Sequence, residues 1–240
     1  MEDALYSEVY SRIKDICFPC LVQPNTINNS AEYVCWALQV YCYSLVAHMR
    51  EVLGGVEQLE SAHPFLVCLL VRNLHEWTAQ AGYMSERLVP MVKEHNFHSA
   101  WELLEQALTG NRWMNQEASD PQPIRVDKAI KVYQELSEDS FGSDDALDQY
   151  RFLCELSHPN GIALIQYQTN HDNGLSVQRP SCSGDFLDIL HLDLISLLWF
   201  INKLLEAAQE SIIRSLISGI LQSIAGNKTI PNTNTQAESI

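Results

Sequence analysis

The feature that most constrains this sequence is a predicted helix that is apolar on every side and then becomes polar. His63-Pro64 opens the segment, since proline suits the first turn of a helix, and Pro90 predicts its end near Leu88. The stretch Phe65 to Val71 is apolar all round, which is typical of the central, most enclosed helix of a bundle. We therefore expect other helices to surround it.

Five further segments show the three- and four-residue spacing of apolar side chains that predicts an amphipathic helix. A short helix precedes them, and Ser30 can cap the first long one. These segments are 31–58, 99–108, 126–137, 144–157 and 185–225. The sequence thus predicts an all-α fold, an antiparallel helical bundle of about six to seven helices, with a single domain over 1–225 and a flexible polar tail over 226–240.

The segment 161–179 breaks the helical pattern. The run IALIQYQT lies before Asn173-Gly174 and the run LSVQ lies after it. An Asn-Gly pair between two such runs is the strongest short-range signal for a hairpin. We expect either a small β-hairpin with its turn at Asn173-Gly174 or a plain loop.

The charge balance restricts the partners of the protein. Fifteen lysines and arginines oppose 30 aspartates and glutamates, a formal net charge of -15, and affinity for nucleic acids depends largely on basic side chains. RNA is therefore a disfavoured partner, although a local cleft can override the overall charge. The apolar stretch Leu194 to Ile201 is far shorter than the roughly 20 residues of a membrane-spanning helix, so we expect no membrane insertion.

The seven cysteines lie mostly within apolar helical patterns, where a free thiol packs as a small hydrophobic group. Because the N-terminus also lacks the features of a signal peptide, the sequence predicts a cytoplasmic protein. Cys17 and Cys20 have redox or zinc spacing without a second ligand pair nearby, and we expect two packed thiols. Glu155 and His158 match half of a di-iron motif whose other half is missing, so no metal and no cofactor is predicted.

The sharpest polar feature is the segment 144–161, DDALDQYRFLCELSHPNG. On a helix, Arg151, Glu155 and His158 project from one face. Pro159 ends the helix there, so His158 lies in the last turn, where the helix dipole favours a protonated imidazole.

A second polar set, Arg72, His75 and Glu76, interrupts the most apolar helix. An enclosed charge without a partner costs several kcal/mol. We therefore expect Arg72 and Glu76 to pack across a helix interface against Arg151, Glu155 and His158. His75 is expected to be a binding or supporting residue.

The spacing of Arg151 and His158 at a helix end resembles the Arg-x4-6-His motif of the HEPN superfamily, whose RNase members cut RNA without metal from a dimeric cleft. The runs RNLHE and YxxLCELSHPN also resemble bacterial all-helical proteins allied to that superfamily. The resemblance implies a role in bacterial defence or stress, in which Arg151 steadies the scissile phosphate, His158 acts as general acid or base and Glu155 completes the catalytic set.

Phe152 departs from the family pattern, because active nucleases usually have a polar residue directly after the motif arginine. A catalytically silent relative is therefore the second expectation from the resemblance. The competing interpretation, drawn from the residues alone, is that the two polar sets form an internal network that fixes the register of the helices.

The C-terminal helix suggests a different, non-enzymatic function. Seven isoleucines and leucines form a continuous apolar stripe along it: Ile212, Ile213, Leu216, Ile217, Ile220, Leu221 and Ile224. Such a stripe docks on its own bundle, or it contacts a second copy or a helical protein partner. We expect a homodimer or a helical partner to bind through 211–224, which makes the protein an interaction module.

Overall fold

The structure of the protein is a computed structural model, and it describes residues 10, 11, 13–25, 30–59, 63–109, 122–141, 146–157, 168–171, 174–177 and 184–226. Helix α1 is described at residues 10, 11 and 13–15. The other helices are α2 (Ala31–Leu59), α3 (Pro64–Lys93), α4 (Phe97–Thr109), α5 (Val126–Phe141), α6 (Ala146–Ser157) and α7 (Gly184–Gly226). The predicted all-α bundle is confirmed.

The helix bounds agree with the sequence prediction within a few residues, with the largest difference at the end of α3. Pro90 is predicted to stop this helix, yet the helix continues to Lys93. Proline has no N–H and so removes one helical hydrogen bond, the one to the carbonyl of Glu86. The helix continues past Pro90, the N–H of Glu94 donates to the carbonyl of Pro90 at 2.9 Å, and Val92 is buried in the core.

Helix α3 is the central helix, and α2, α4, α5, α6 and α7 all pack against it. Its first turns are less enclosed than the sequence predicts. Three side chains there are buried, namely Val67, Cys68 and Val71, and three others are 36–41% exposed, namely Phe65, Leu66 and Leu69. The prediction that this stretch is enclosed on all sides is therefore wrong, because the neighbouring helices cover one side of α3 at this level.

Helices α3 and α7 lie side by side and run parallel. His75 contacts Asp193 and Gly82 faces Phe200, and both pairs are separated by 118 positions in the sequence. A Cβ atom at position 82 would lie 3.1 Å from two ring carbons of Phe200. Glycine at this position therefore allows the two helices to approach closely.

The segment 161–179 contains a β-hairpin. Its strands are β1 (Gln168–His171) and β2 (Gly174–Val177), which pair antiparallel from Gln168 opposite Val177 to His171 opposite Gly174. The structure thus shows the hairpin and not the loop. The predicted turn position is wrong by one residue. The sequence places the turn at Asn173-Gly174, whereas Gly174 is the first paired residue of β2. The two positions between the strands, 172 and 173, lie outside the described residues.

Candidate functional site

A fully buried histidine lies at the centre of the bundle. His75 of α3 has no solvent exposure. Its Nδ1 atom lies 2.9 Å and 3.0 Å from the two carboxylate oxygens of Asp193 on α7, and its Nε2 atom lies 3.0 Å from the carbonyl oxygen of Ala146 on α6. Both partners are hydrogen-bond acceptors, so both ring nitrogens must donate. Only the doubly protonated imidazolium form of His75 can donate to both partners.

The surroundings of His75 favour this charged form. Burial by itself lowers the pKa of His75, but the charge of Asp193, the hydrogen bonds to Asp193 and Ala146 and the charge of Glu76 together raise this pKa above its ordinary value of 6.5. The side chains of His75 and Asp193 are both 0% exposed. They form a buried ion pair, in which each charge depends on the other because neither is hydrated.

Tyr133 of α5 completes this cluster. Its hydroxyl donates to Oδ1 of Asp193 at 3.1 Å, and its ring meets the ring of His75 edge-on with 5.5 Å between centroids. Burial and then the charge of Asp193 raise the pKa of Tyr133 well above 10, so the hydroxyl keeps its proton and remains a donor. We call His75, Asp193, Tyr133 and the Ala146 carbonyl the buried polar centre, which joins α3, α5, α6 and α7.

Arg72 connects α3 with α6 at the edge of the buried polar centre. Its Nε donates to Oε1 of Glu76 at 3.1 Å, and its Nη1 donates to Oγ of Ser157 at 2.8 Å. The guanidinium carbon lies 5.9 Å from the ring centroid of Tyr150. Arg72 therefore does contact α6, but through Ser157 and Tyr150 and not through the predicted face of Arg151, Glu155 and His158.

Arg151 lies outside this contact. Its side chain is 66% exposed, and its Nη1 donates to Oδ1 of Asp148 at 2.9 Å, one turn earlier on α6. Glu155 is also exposed. The expectation that Arg151 packs against Arg72 is wrong, because a local partner in water satisfies its guanidinium without burial. His158 follows the last described residue of α6 and lies outside the described residues.

Sequence reasoning identifies His75 as a supporting polar residue but misses its partners Asp193 and Tyr133. The signal for Asp193 is present in the sequence, since this carboxylate lies between Leu192 and Leu194 in an apolar run, where an acid must find a partner. Tyr133 gives no such signal, because a tyrosine on an amphipathic helix also packs as a plain aromatic residue.

The buried polar centre contains an acid–base pair, but its side chains are not exposed to a substrate in solvent. A general acid or base must come within hydrogen-bond distance of its substrate, and His75, Asp193 and Tyr133 are each 0% exposed. Among the described residues, no group of three or more His, Cys, Asp and Glu could hold a metal ion. These contacts link α3, α5, α6 and α7 to one another.

The N-terminal cysteines differ from the prediction. Cys17 and Cys20 are both exposed, whereas the sequence predicts two packed thiols. The segment that carries them is held through its backbone, because Arg50 of α2 donates to the carbonyls of Lys14 and Ile16 at 2.7 Å and 3.1 Å. The thiols are not needed for this contact and remain in solvent.

Comparisons with protein-family profiles, with curated protein sequences and with solved structures give no match for this chain. The suggested relationship to the HEPN superfamily therefore depends on the motif residues and on the all-helical fold. In the part of the chain that the structure describes, no helix combines the length and the apolar character needed to cross a membrane.

Proposed function

We propose that the protein is a non-enzymatic helical interaction module that self-associates through residues 211–224 of α7. The supporting observation is that α7 extends as a helix over the whole apolar stripe. Its residues from Phe186 to Ala208 belong to the hydrophobic cluster that joins α2 to α6 around α3. The helix continues to Gly226, and this continuation carries the apolar stripe from Ile212 to Ile224.

The energetic scale favours association. Burial of seven isoleucine and leucine side chains contributes on the order of 10 kcal/mol, at about 1.5–3 kcal/mol each. Half of this sum is comparable with the lower estimates for the free-energy cost of association, about 4 kcal/mol. The enclosure of the buried polar centre also favours a role without catalysis.

Light scattering coupled to size exclusion tests the proposal at micromolar protein concentration. We expect the wild type to elute with twice the monomer mass of 27.2 kDa. Ile213→Glu and Ile217→Glu introduce a charge into the stripe and should give the monomer. Ser218→Glu, on the polar side of the same helix, is the matched control and should leave the dimer intact. A monomeric wild type, or a dimer that both isoleucine variants retain, contradicts the proposal.

The second candidate function is metal-independent cleavage of RNA at the end of α6, which the HEPN resemblance implies. One observation favours it. Arg72 donates to Ser157, the residue before His158, so a second arginine lies close to the helix end that carries the motif histidine. Arg151 is accessible from solvent and could steady the charge on a phosphate, while His158 could transfer the proton of the 2′-hydroxyl or of the leaving oxygen.

Incubation of the pure protein with total RNA, with and without EDTA, tests the second candidate. A metal-independent RNase cleaves in both conditions, and His158→Ala should lower the rate at least about a hundredfold, because general acid–base catalysis contributes roughly 10²–10⁴-fold. Arg151→Ala should also abolish cleavage. His98→Ala, an exposed histidine on α4, is the control and should retain full activity. No cleavage by the wild type, or equal cleavage by all variants, refutes an RNase function of this helix end.

A further inference from the structure

A groove lies between α3 and α7 near the end of α3. Its cavity volume is about 300 Å³, and side chains of both helices and of Leu136 on α5 line it. Val89, Leu136 and Trp199 give it apolar surface. A volume of this size lies at the lower end of the range for sites of small organic molecules, which combine apolar walls with a few polar groups.

Two lysines, one from each helix, also line the groove. Lys203 of α7 is half-buried, and its Nζ lies 3.5 Å from the ring centroid of Trp199. Burial lowers the pKa of Lys203, the charge of Glu86 opposes this effect, and the charge of Lys93 on α3 lowers the pKa further. Two like charges thus influence each other across the groove, and the more buried one has lost part of its hydration.

Neither lysine has an ion-pair partner within the described residues. No carboxylate oxygen there lies within 4.0 Å of the Nζ atom of Lys93 or Lys203. Glu86 and Glu206 are exposed, and Glu206 accepts a hydrogen bond from Asn202 at 2.7 Å. Glu210 also lines the groove and is exposed, as are Glu86, Glu206 and Lys93, so Lys203 is the least exposed of the five charged residues in the lining.

We propose that this groove binds a small organic monocarboxylate with an aromatic or alkyl body. The carboxylate lies between Lys93 and Lys203, where it relieves their repulsion, and the apolar body packs on Val89, Leu136 and Trp199. The glutamates at the rim repel anions of higher charge, which favours a single carboxylate over a phosphate. This site is independent of the stripe at 211–224 and of the end of α6.

Titration of the full chain with 3-phenylpropionate, followed by ligand-observed NMR, tests the site. We expect saturable binding with a Kd on the order of 0.1–1 mM, as befits a ligand of this size. 2-Phenylethylamine has a comparable aromatic body with the opposite charge and should bind at least about tenfold more weakly. Phenyl phosphate should also bind more weakly than 3-phenylpropionate.

Lys203→Met should weaken binding of 3-phenylpropionate at least about tenfold, since it removes a charge-assisted contact, and Lys203→Arg should restore most of it. Lys128→Ala is the matched control, because this lysine also lies over an aromatic ring, 5.1 Å from the centroid of Tyr83, but does not line the groove. Lys93→Met provides a second loss-of-charge variant if Lys203→Met does not fold. No saturable binding, tighter binding of the amine, or unchanged binding in both methionine variants overturns the proposal.

Discussion

Replacing Asp193 with leucine tests how strongly the buried polar centre holds the bundle together. The substitution leaves the imidazolium of His75 without a counter-charge and the hydroxyl of Tyr133 without its acceptor, in a site with no solvent exposure. Removal of one partner of a buried ion pair typically costs about 3–5 kcal/mol. Because a domain is stable by only about 5–15 kcal/mol, we expect Asp193→Leu to lose a large fraction of its free energy of unfolding.

The pH dependence gives an independent measure of the same interaction. The pKa of His75 is raised in the folded protein above its ordinary value of 6.5, so the folded state binds this proton more tightly than the unfolded state. The stabilisation is fully present below pH 6.5 and is lost as the pH rises through the raised pKa of the folded state. Asp193→Asn keeps similar shape and hydrogen-bonding capacity but removes the counter-charge, so this pH-dependent contribution should disappear.

Urea unfolding followed by far-UV circular dichroism between pH 5.5 and 9 measures both effects. His98→Ala is the matched control, because the His98 side chain is 70% exposed and its Nε2 atom lies 3.4 Å from Oε1 of Glu102. We expect this variant to change the free energy of unfolding by less than about 0.5 kcal/mol. A loss below about 1 kcal/mol in Asp193→Leu would show that the ion pair does not stabilise the fold. A pH dependence that persists unchanged in Asp193→Asn would assign it to another group.

Two further predictions concern close packing and exposure. Gly54→Ala should stabilise the protein by up to about 1 kcal/mol, because alanine has the higher helix propensity and a Cβ at this position meets nothing within 4 Å. Gly82→Ala should instead destabilise it by on the order of 1 kcal/mol in thermal unfolding, because the added carbon lies 3.1 Å from the fully buried ring of Phe200. Equal effects of the two substitutions would contradict this reasoning. A thiol reagent should label the exposed Cys17 and Cys20 in the native protein within minutes. Equally fast labelling of Cys35, Cys42 and Cys68 would contradict the burial of these three thiols.

The fold class and most helix bounds follow from the sequence, because both depend on local spacing. The three/four pattern of apolar residues gives α2 from Ala31 almost to its observed end, and Ser30 caps it through the hydrogen bond from the N–H of Tyr33 at 3.3 Å. The Asn-Gly signal likewise identifies the hairpin. Its exact register depends on which residues pair across the strands, and the local signal therefore misses it by one position.

The sequence does not identify in the same way which residues form the buried polar centre. Arg72, His75 and Arg151 all appear as polar residues on apolar helices, yet His75 is fully buried and Arg151 is two-thirds exposed. The difference arises because spacing assigns a residue to a face of its own helix but not to a neighbour. The parallel packing of α7 along α3, permitted at Gly82, brings Asp193 to His75 from 118 positions away. Only the tertiary structure decides such a contact, since it depends on how helices approach one another and not on the pattern within either helix.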